Sequence, residues 1–88
     1  MIELVFEPDR PEHIARHGVT IDEVFEVAEG RYVRTKMGAA RTRLIGRTSG
    51  GRYLMVLVGQ RAGRVHGLIT ARDATLQERR LFLRSWGR

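Results

Sequence analysis

Apolar residues change their spacing near residue 31, and the change divides the chain into two kinds of predicted element. Before it, the segment 20–30 has apolar residues every three or four positions, which is typical of a helix with one buried face: Ile21, Val24, Phe25 and Ala28. Thr20 and Glu23 form a capping-box pattern at its start, and Gly30 follows its end. These signals predict a helix between Thr20 and Gly30.

Two further helices and a short strand are predicted from similar signals. Residues 2–6 are mostly apolar and β-branched and predict a strand. Asp9, with Glu12 three residues later, offers an N-cap for a short helix that Gly18 ends. Thr75 and Glu78 form another capping-box pattern. The last helix has four apolar side chains available for the core: Leu76, Phe82, Leu83 and Trp86.

From residue 31 the apolar pattern has a period of two, which indicates strands. Segments 31–36, 41–48, 52–60 and 64–72 are separated by glycine-containing turns, the last two at 49–51 and 61–63. The predicted fold is α+β, a small antiparallel sheet of three to five strands packed by two N-terminal helices and one C-terminal helix. A chain of 88 residues closes one core, so a single domain spans 1–88.

The predicted strands place basic residues together on one face of the sheet. Alternation puts Arg41, Arg43, Ile45 and Arg47 on one face of their strand. It likewise groups Arg64, His66, Leu68, Thr70 and Arg72. We therefore expect one sheet face to be covered by helices and the other to carry Arg and His. Such a face suits RNA binding or cleavage, although a solvated antiparallel face has the same pattern.

The formal net charge of +6 is divided unevenly along the chain. Residues 1–30 hold eight acids and two arginines, a net of −6, whereas residues 31–88 hold fourteen basic groups and two acids, a net of +12. The basic half favours a polyanion partner, and guanidinium groups match phosphate geometry. There are two alternatives to a polyanion partner. The charge can serve only to keep the protein surface solvated, or the many arginines can reflect the base composition of a GC-rich genome. The lack of cysteine suits a reducing cytoplasm, and no apolar run reaches the ~18 residues of a membrane span.

Four short segments, in this order and spacing, resemble the BrnT family of type II toxins: 17–19 (HGV), 45–48 (IGRT), 69–72 (ITAR) and 75–80 (TLQERR). The resemblance covers nearly the whole chain. It implies a RelE-like fold and a metal-independent endoribonuclease that cleaves RNA and inhibits translation. It also implies a cognate antitoxin protein with a DNA-binding domain, which wraps the toxin and represses their shared promoter.

The resemblance also implies roles for several arginines. Arg47 and Arg72 match its strand-end arginines, and we assign them to phosphate binding and transition-state charge. Arg79 and Arg80 open the last helix. One of them is expected to face the cleft, and the other to brace Glu78 or a carboxylate of the first thirty residues.

Cleavage of RNA also needs proton transfer, for which His66 is the best candidate because histidine has a reference pKa of ~6.5. A solvated strand histidine without a catalytic role is the alternative for His66. Three further residues are candidate substrate contacts: Arg43, Tyr53 and Lys36. A non-catalytic module that binds nucleic acid or protein through the same face is the rival function.

His17 and Gly18 are interpreted as structural, because an imidazole next to a helix C-terminus interacts favourably with the last carbonyls. His13 and His17 stand four residues apart, as in zincin helices. The glutamate that should follow the first histidine is replaced by Ile14, however. We therefore predict no metal site and no other cofactor.

Overall fold

The computed structural model describes residues 2–87, which form a five-stranded mixed sheet with helices on both faces. In chain order the elements are β1 (Glu3–Val5), α1 (Arg10–Ala15), α2 (Ile21–Glu29), β2 (Tyr32–Lys36), β3 (Arg41–Arg47), β4 (Tyr53–Ala62), β5 (Val65–Asp73) and α3 (Leu76–Trp86). The predicted α+β class and element order are confirmed.

The strands lie in the order β1-β5-β4-β3-β2. Strands β2 to β5 form the expected antiparallel meander, but β1 pairs with β5 in parallel, so the sheet is mixed rather than wholly antiparallel. The parallel pair arises because the chain leaves β1 through α1 and α2 and enters the sheet again at its opposite edge. The meander then returns to β1 with β5 running in the same direction.

The main core lies between the helix pair α1 and α2 and one face of the sheet. Its buried members are Ile14, Val19, Val24, Val27, Leu44, Leu54, Val56, Val58, Leu68 and Ala71. Gly46 in β3 permits the close approach of α2, because a Cβ there would lie 2.8 Å from Cγ1 of Val27 and 3.0 Å from the Arg31 carbonyl oxygen. The glycine of the segment 45–48 therefore has a packing role.

Helix α3 covers part of the opposite face, against β2 and β3. Because Leu44 and Val56 point into the main core, the buried side chains of Ile45 and Met55 point toward the α3 side. The expectation that helices cover only one face is therefore wrong. Of the four apolar residues predicted to serve α3, Phe82 is buried and Leu76 is 62% exposed. Leu83 and Trp86 lie at the surface.

A β-bulge in β5 changes the faces predicted for that strand. Thr70 pairs with Leu57, but the next pair in β4 is Val58 with Leu68, so one residue of β5 is left over. As a result Leu68 and Ala71, three residues apart, both belong to the main core. The prediction that residues 64–72 alternate without interruption is wrong.

Most of the capping interactions predicted at the helix ends are formed in the structure. Thr20 and Thr75 each form a complete capping box with the glutamate three residues later. Asp9 occupies the N-cap position of α1 but makes no capping hydrogen bond, because its backbone is already helical and its carboxylate accepts from Arg10. Gly18 ends α1 as predicted, with φ +73°.

Candidate nucleic-acid interface

A groove of about 450 Å³ lies between α3 and the turn that joins β3 to β4. We call it the α3 groove; it is lined by Arg31, Arg47, Thr48, Ser49, Gly51, Tyr53, Phe82 and Trp86. Its volume is within the range of small-ligand sites. Guanidinium and aromatic groups therefore meet in one concave surface of the basic half.

Tyr53 is the centre of this surface, with a guanidinium from each of two elements on its ring. The Cζ of Arg47 lies 5.3 Å from the ring centroid and the Cζ of Arg79 lies 4.6 Å from it. Phe82 packs edge-on against the same ring, with the centroids 5.8 Å apart. Both arginines are within the range of cation–π attraction.

The sequence places these groups through cross-strand register and helical spacing. Arg47 and Tyr53 are directly paired residues of β3 and β4, and Arg79 and Phe82 are one turn apart on α3. Gly51 leaves room for the Arg47 guanidinium, because a Cβ on Gly51 would lie 3.3 Å from its Nη2. The backbone of Gly51 has φ +90°, which also favours glycine.

Trp86 is an aromatic residue of the groove that was not predicted as a site residue. The Cζ of Arg31 lies 5.4 Å from the ring centroid of Trp86, whose residue is 42% exposed. Arg79, Phe82 and Trp86 stand at i, i+3 and i+7, so they follow one side of α3. That spacing is visible in the sequence, but Phe82 and Trp86 equally suit an apolar stripe that faces the core.

The turn beside the groove is fixed by α2. The Glu26 carboxylate accepts from the backbone N–H of Ser49 at 3.0 Å and from its hydroxyl at 3.1 Å. Within residues 2–87, neither the two arginines that line the groove (Arg31 and Arg47) nor Arg79, on the ring of Tyr53 beside it, forms an ion pair with a carboxylate. Their charges are therefore available to an anionic ligand.

Arg72 and Arg43 belong instead to an ion cluster around the buried carboxylate of Glu78, at the start of α3. Arg72 donates from Nη1 to Glu78 Oε1 at 2.9 Å, and Arg43 donates from Nη1 to Glu78 Oε2 at 3.0 Å. Glu78 is only 3% exposed. Arg72 and Arg43 reach Glu78 from the sheet beneath α3. Among residues 2–87, neither Arg79 nor Arg80 pairs with Glu78 or with a carboxylate of the first thirty residues, contrary to the expectation that one of them does.

Glu78 is held in its charged form. Burial raises the pKa of its carboxyl, but hydrogen bonds from Arg72 and the Thr75 amide, with the charges of both arginines, outweigh burial. The net result is a pKa below the ordinary value of 4.5. The cluster therefore acts as an anchor that joins α3 to β3 and β5.

No family model matches the chain, and no curated protein matches its sequence. Among solved structures, the crystal structure of the Brucella abortus ribonuclease toxin BrnT is similar, with a TM-score of 0.66 and 19% sequence identity. The match covers 85% of this chain and 99% of the toxin chain. This chain has the fold of BrnT. The resemblance inferred from four short segments is thus confirmed at the level of the fold.

The BrnT-like fold separates Arg80 and Lys36 from the α3 groove. Arg80 lies on the other side of α3, in a groove that it lines with Arg43, Glu78 and Arg84. Lys36 and Arg34 are two residues apart in β2 and therefore lie on the same face of the sheet. Arg34 pairs with the core residue Leu44, so this is the face that α2 covers. Of the candidate residues, only Arg47 and Tyr53 line the groove, and Arg79 lies beside it on the ring of Tyr53.

His66 lies apart from these residues. It is 5% exposed, and its Nδ1 lies 2.9 Å from the Arg64 carbonyl oxygen. Six residues of strand separate it from Arg72, roughly 20 Å at the rise of a β-strand. Past the bulge it also shares the face of Leu68, toward the main core, rather than the face of Arg72. The prediction of a shared face for these two residues is wrong.

His13 of α1 and His17, which follows that helix, lie on the helix-pair side of the sheet. His13 Nε2 lies 3.2 Å from Thr70 Oγ1, and the exposed His17 ring packs edge-on against His13 with centroids 5.9 Å apart. Gly18 and Val19 donate their amides to the carbonyls of Ala15 and Ile14, so the turn that contains His17 closes the end of α1. In the part of the chain that the structure describes, no cluster of three or more His, Cys, Asp or Glu side chains suits a metal ion.

No helix within residues 2–87 has the length and apolar character needed to cross a membrane.

Proposed function

We propose that this protein is a metal-independent endoribonuclease toxin of a type II toxin–antitoxin pair, which cleaves RNA and inhibits translation. The observation that carries the proposal is the pair of guanidinium groups, Arg47 and Arg79, on the ring of Tyr53 beside an open groove. The +12 charge of residues 31–88 and a fold shared with a ribonuclease toxin support it.

The reaction follows from what these groups do to a phosphodiester. The 2′-oxygen attacks the adjacent phosphorus and loses its proton, and the bond from phosphorus to the 5′-oxygen breaks as that oxygen gains a proton. The products are a 2′,3′-cyclic phosphate and a 5′-hydroxyl. Charge accumulates on the phosphoryl oxygens in the transition state, and two fixed guanidinium groups stabilise it.

Tyr53 is the candidate for proton transfer in this site, since its hydroxyl both donates and accepts. It replaces His66 in the proposal because His66 is buried at the far end of β5. Arg72 becomes a positioning residue that holds Glu78, and therefore α3 and Arg79, in place. Arg43 is proposed to act in the same way rather than on substrate.

A binding module without catalysis is the second candidate function. The observation that favours it is that no histidine lines the groove, while cations and aromatic rings are sufficient for binding. The two functions differ in whether loss of one arginine abolishes turnover or only weakens affinity.

The test is incubation of purified protein with a single-stranded RNA in the presence of EDTA, followed by separation of fragments and identification of their ends. We expect fragments with 2′,3′-cyclic phosphate ends. Arg47→Gln and Arg79→Gln are each expected to lower the cleavage rate by roughly 10²–10³-fold, as for loss of one charge-stabilising donor. Arg16→Gln, an equal change of charge at an exposed residue after α1, should cleave normally. Equal rates for all four proteins would reject the assignment of the site.

We also propose that the partner is an antitoxin protein with a DNA-binding domain, as the BrnT resemblance implies. Expression of the chain alone should arrest bacterial growth and fragment cellular RNA. Co-expression of the small reading frame adjacent to its gene should restore growth and co-purify with the chain. Normal growth with abundant folded protein would favour the binding module.

A further inference from the structure

We propose that Trp86 and Arg31 form a base-stacking subsite of the α3 groove, which makes the protein select single-stranded RNA over duplex RNA. The inference deepens the proposed function and rests on it for the identity of the ligand. Trp86 is the only tryptophan of the chain, and it shares the groove with Arg47 and Tyr53.

The shape of the subsite suits a flat aromatic ligand. Arg31 lies over the indole of Trp86 at 5.4 Å and orients it, while 42% of the residue stays exposed. Trp86 lines both the α3 groove and a neighbouring groove of about 320 Å³ that extends past Gly30 and Tyr32. A ring stacked on Trp86 would therefore contact protein without having to displace any buried side chain.

The charge of the groove identifies the ligand as a nucleotide. Within the described residues 2–87, Arg31, Arg47 and Arg79 have no carboxylate partner, so the aromatic surface is bordered by unpaired cations. An apolar protein segment would leave these guanidinium groups desolvated and unpaired. A nucleotide brings a base for Trp86 and a phosphate for Arg47.

Selection of single strands follows from the stacking requirement. In a duplex both faces of each base are already occupied by its neighbours, so no face is free for the indole. A single strand offers such a face at every base, and stacking on an aromatic side chain accepts all four bases. The subsite is therefore expected to discriminate by strandedness much more than by sequence.

The experiment uses the fluorescence of Trp86 in the intact protein. A 2′-O-methyl RNA hexanucleotide, which lacks the attacking hydroxyl and is not cleaved, is titrated as a single strand and as a duplex with its complement. We expect quenching that saturates with the single strand, and at least tenfold weaker binding of the duplex.

Variants then separate stacking from folding. Affinity of a dye-labelled single strand is measured by anisotropy, and Trp86→Leu should weaken it by roughly 5- to 150-fold, the range for loss of one stacked base. Trp86→Phe should recover most of that loss. Leu83→Ala, at another exposed apolar residue of α3 that does not line the groove, should bind normally, and thermal unfolding checks that each variant is folded.

The outcomes distinguish this inference from the proposed ribonuclease activity. Quenching and a Trp86→Leu loss without any RNA cleavage would support the subsite and reject the nuclease. Cleavage without quenching, or with equal affinity for single strand and duplex, would reject the subsite and leave the nuclease standing. Weakening by Leu83→Ala equal to that of Trp86→Leu would also reject it, because the effect would then belong to α3 as a whole.

Discussion

At the scale of residues, the arginines of this chain divide into two kinds that composition does not distinguish. Arg43 and Arg72 are paired with the buried Glu78 and hold the fold together. Arg47 and Arg79 lie on the ring of Tyr53 without a carboxylate partner among the described residues. The buried carboxylate of Glu78 thus occupies two guanidinium groups, whereas Arg47 and Arg79 remain available for a ligand.

Glu78→Gln should destabilise the protein while the capping box of α3 is preserved, because glutamine also caps at this position. Arg72 and Arg43 would lose their charged partner beneath α3. Both can still reach solvent, so we expect a loss of about 1–3 kcal/mol in the free energy of unfolding, measured in urea.

The matched control is Glu23→Gln, at the equivalent capping position of α2. Glu23 pairs with Arg52 at 3.1 Å, but with 26% of the Glu23 side chain exposed, so its replacement should cost about 0–1 kcal/mol. A loss for Glu78→Gln no larger than that for Glu23→Gln would contradict the role of the ion cluster around Glu78.

The difference in unfolding free energy between wild type and Glu78→Gln should depend on pH with a defined sign. The pKa of Glu78 is lower in the folded protein than its ordinary value of 4.5, so its carboxylate stabilises the fold at and above that pH. This contribution is lost as pH falls below 4.5 and through the folded pKa. The stability difference between wild type and Glu78→Gln should be constant from pH 7 to 5.5 and shrink toward pH 3. A difference that grows on acidification would have the wrong sign.

At the scale of elements, signals between residues close in sequence predicted the helices and their ends. The exact pairing of β5 with β4 could not be predicted in this way. The capping boxes at Thr20 and Thr75 depend on residues three apart, so both were visible in the sequence. The bulge in β5 depends on how that strand pairs with β4, and residues 64–72 are compatible with strict alternation. One inserted residue moved His66 to the other face, and with it the predicted acid–base group.

Only part of the candidate site could be predicted from the sequence, because only part of it depends on residues close together in the chain. Arg47 and Tyr53 lie in adjacent strands on either side of a recognisable turn, so their proximity could be predicted. The position of α3 over β2 and β3 could not, because its apolar stripe suits either face of a sheet. Arg31 and Trp86 became neighbours only through that placement.

Gly46→Ala should separate α2 from β3, because the added methyl group would lie 2.8 Å from Cγ1 of Val27 and 3.0 Å from the Arg31 carbonyl oxygen. Backbone cannot yield as a flexible side chain does, so we expect a loss of about 1–3 kcal/mol by urea unfolding. Gly50→Ala is the control, since its nearest contact would be 3.8 Å from Thr48 Oγ1. Equal stability of the two variants would show that α2 adjusts freely.

At the scale of the whole molecule, the acidic first third and the basic remainder are joined by specific contacts. Glu7 pairs with Arg61 and Glu23 with Arg52, and Glu26 holds the turn at Ser49. Acids of residues 1–30 thus neutralise some arginines of the sheet and position the edge of the α3 groove. Three arginines that have no ion pair among the described residues, Arg31, Arg47 and Arg79, lie against the aromatic side chains of Tyr53 and Trp86.

This division predicts how salt affects the binding of single-stranded RNA. Each phosphate neutralised by a guanidinium group contributes about 0.7 to the slope of log affinity against log salt concentration, through counterion release. Arg47→Gln should therefore reduce the magnitude of the slope by about 0.7. Arg16→Gln removes the same charge at an exposed residue that does not line the groove, and it should leave the slope unchanged. Trp86→Leu should lower the affinity at every salt concentration without altering the slope, because stacking releases no counterions.

The slopes of the three variants are measured by fluorescence anisotropy with the non-cleavable hexanucleotide, at salt concentrations from about 50 to about 300 mM. Equal slope changes for Arg47→Gln and Arg16→Gln would mean that net charge alone attracts RNA, with no phosphate bound at the groove.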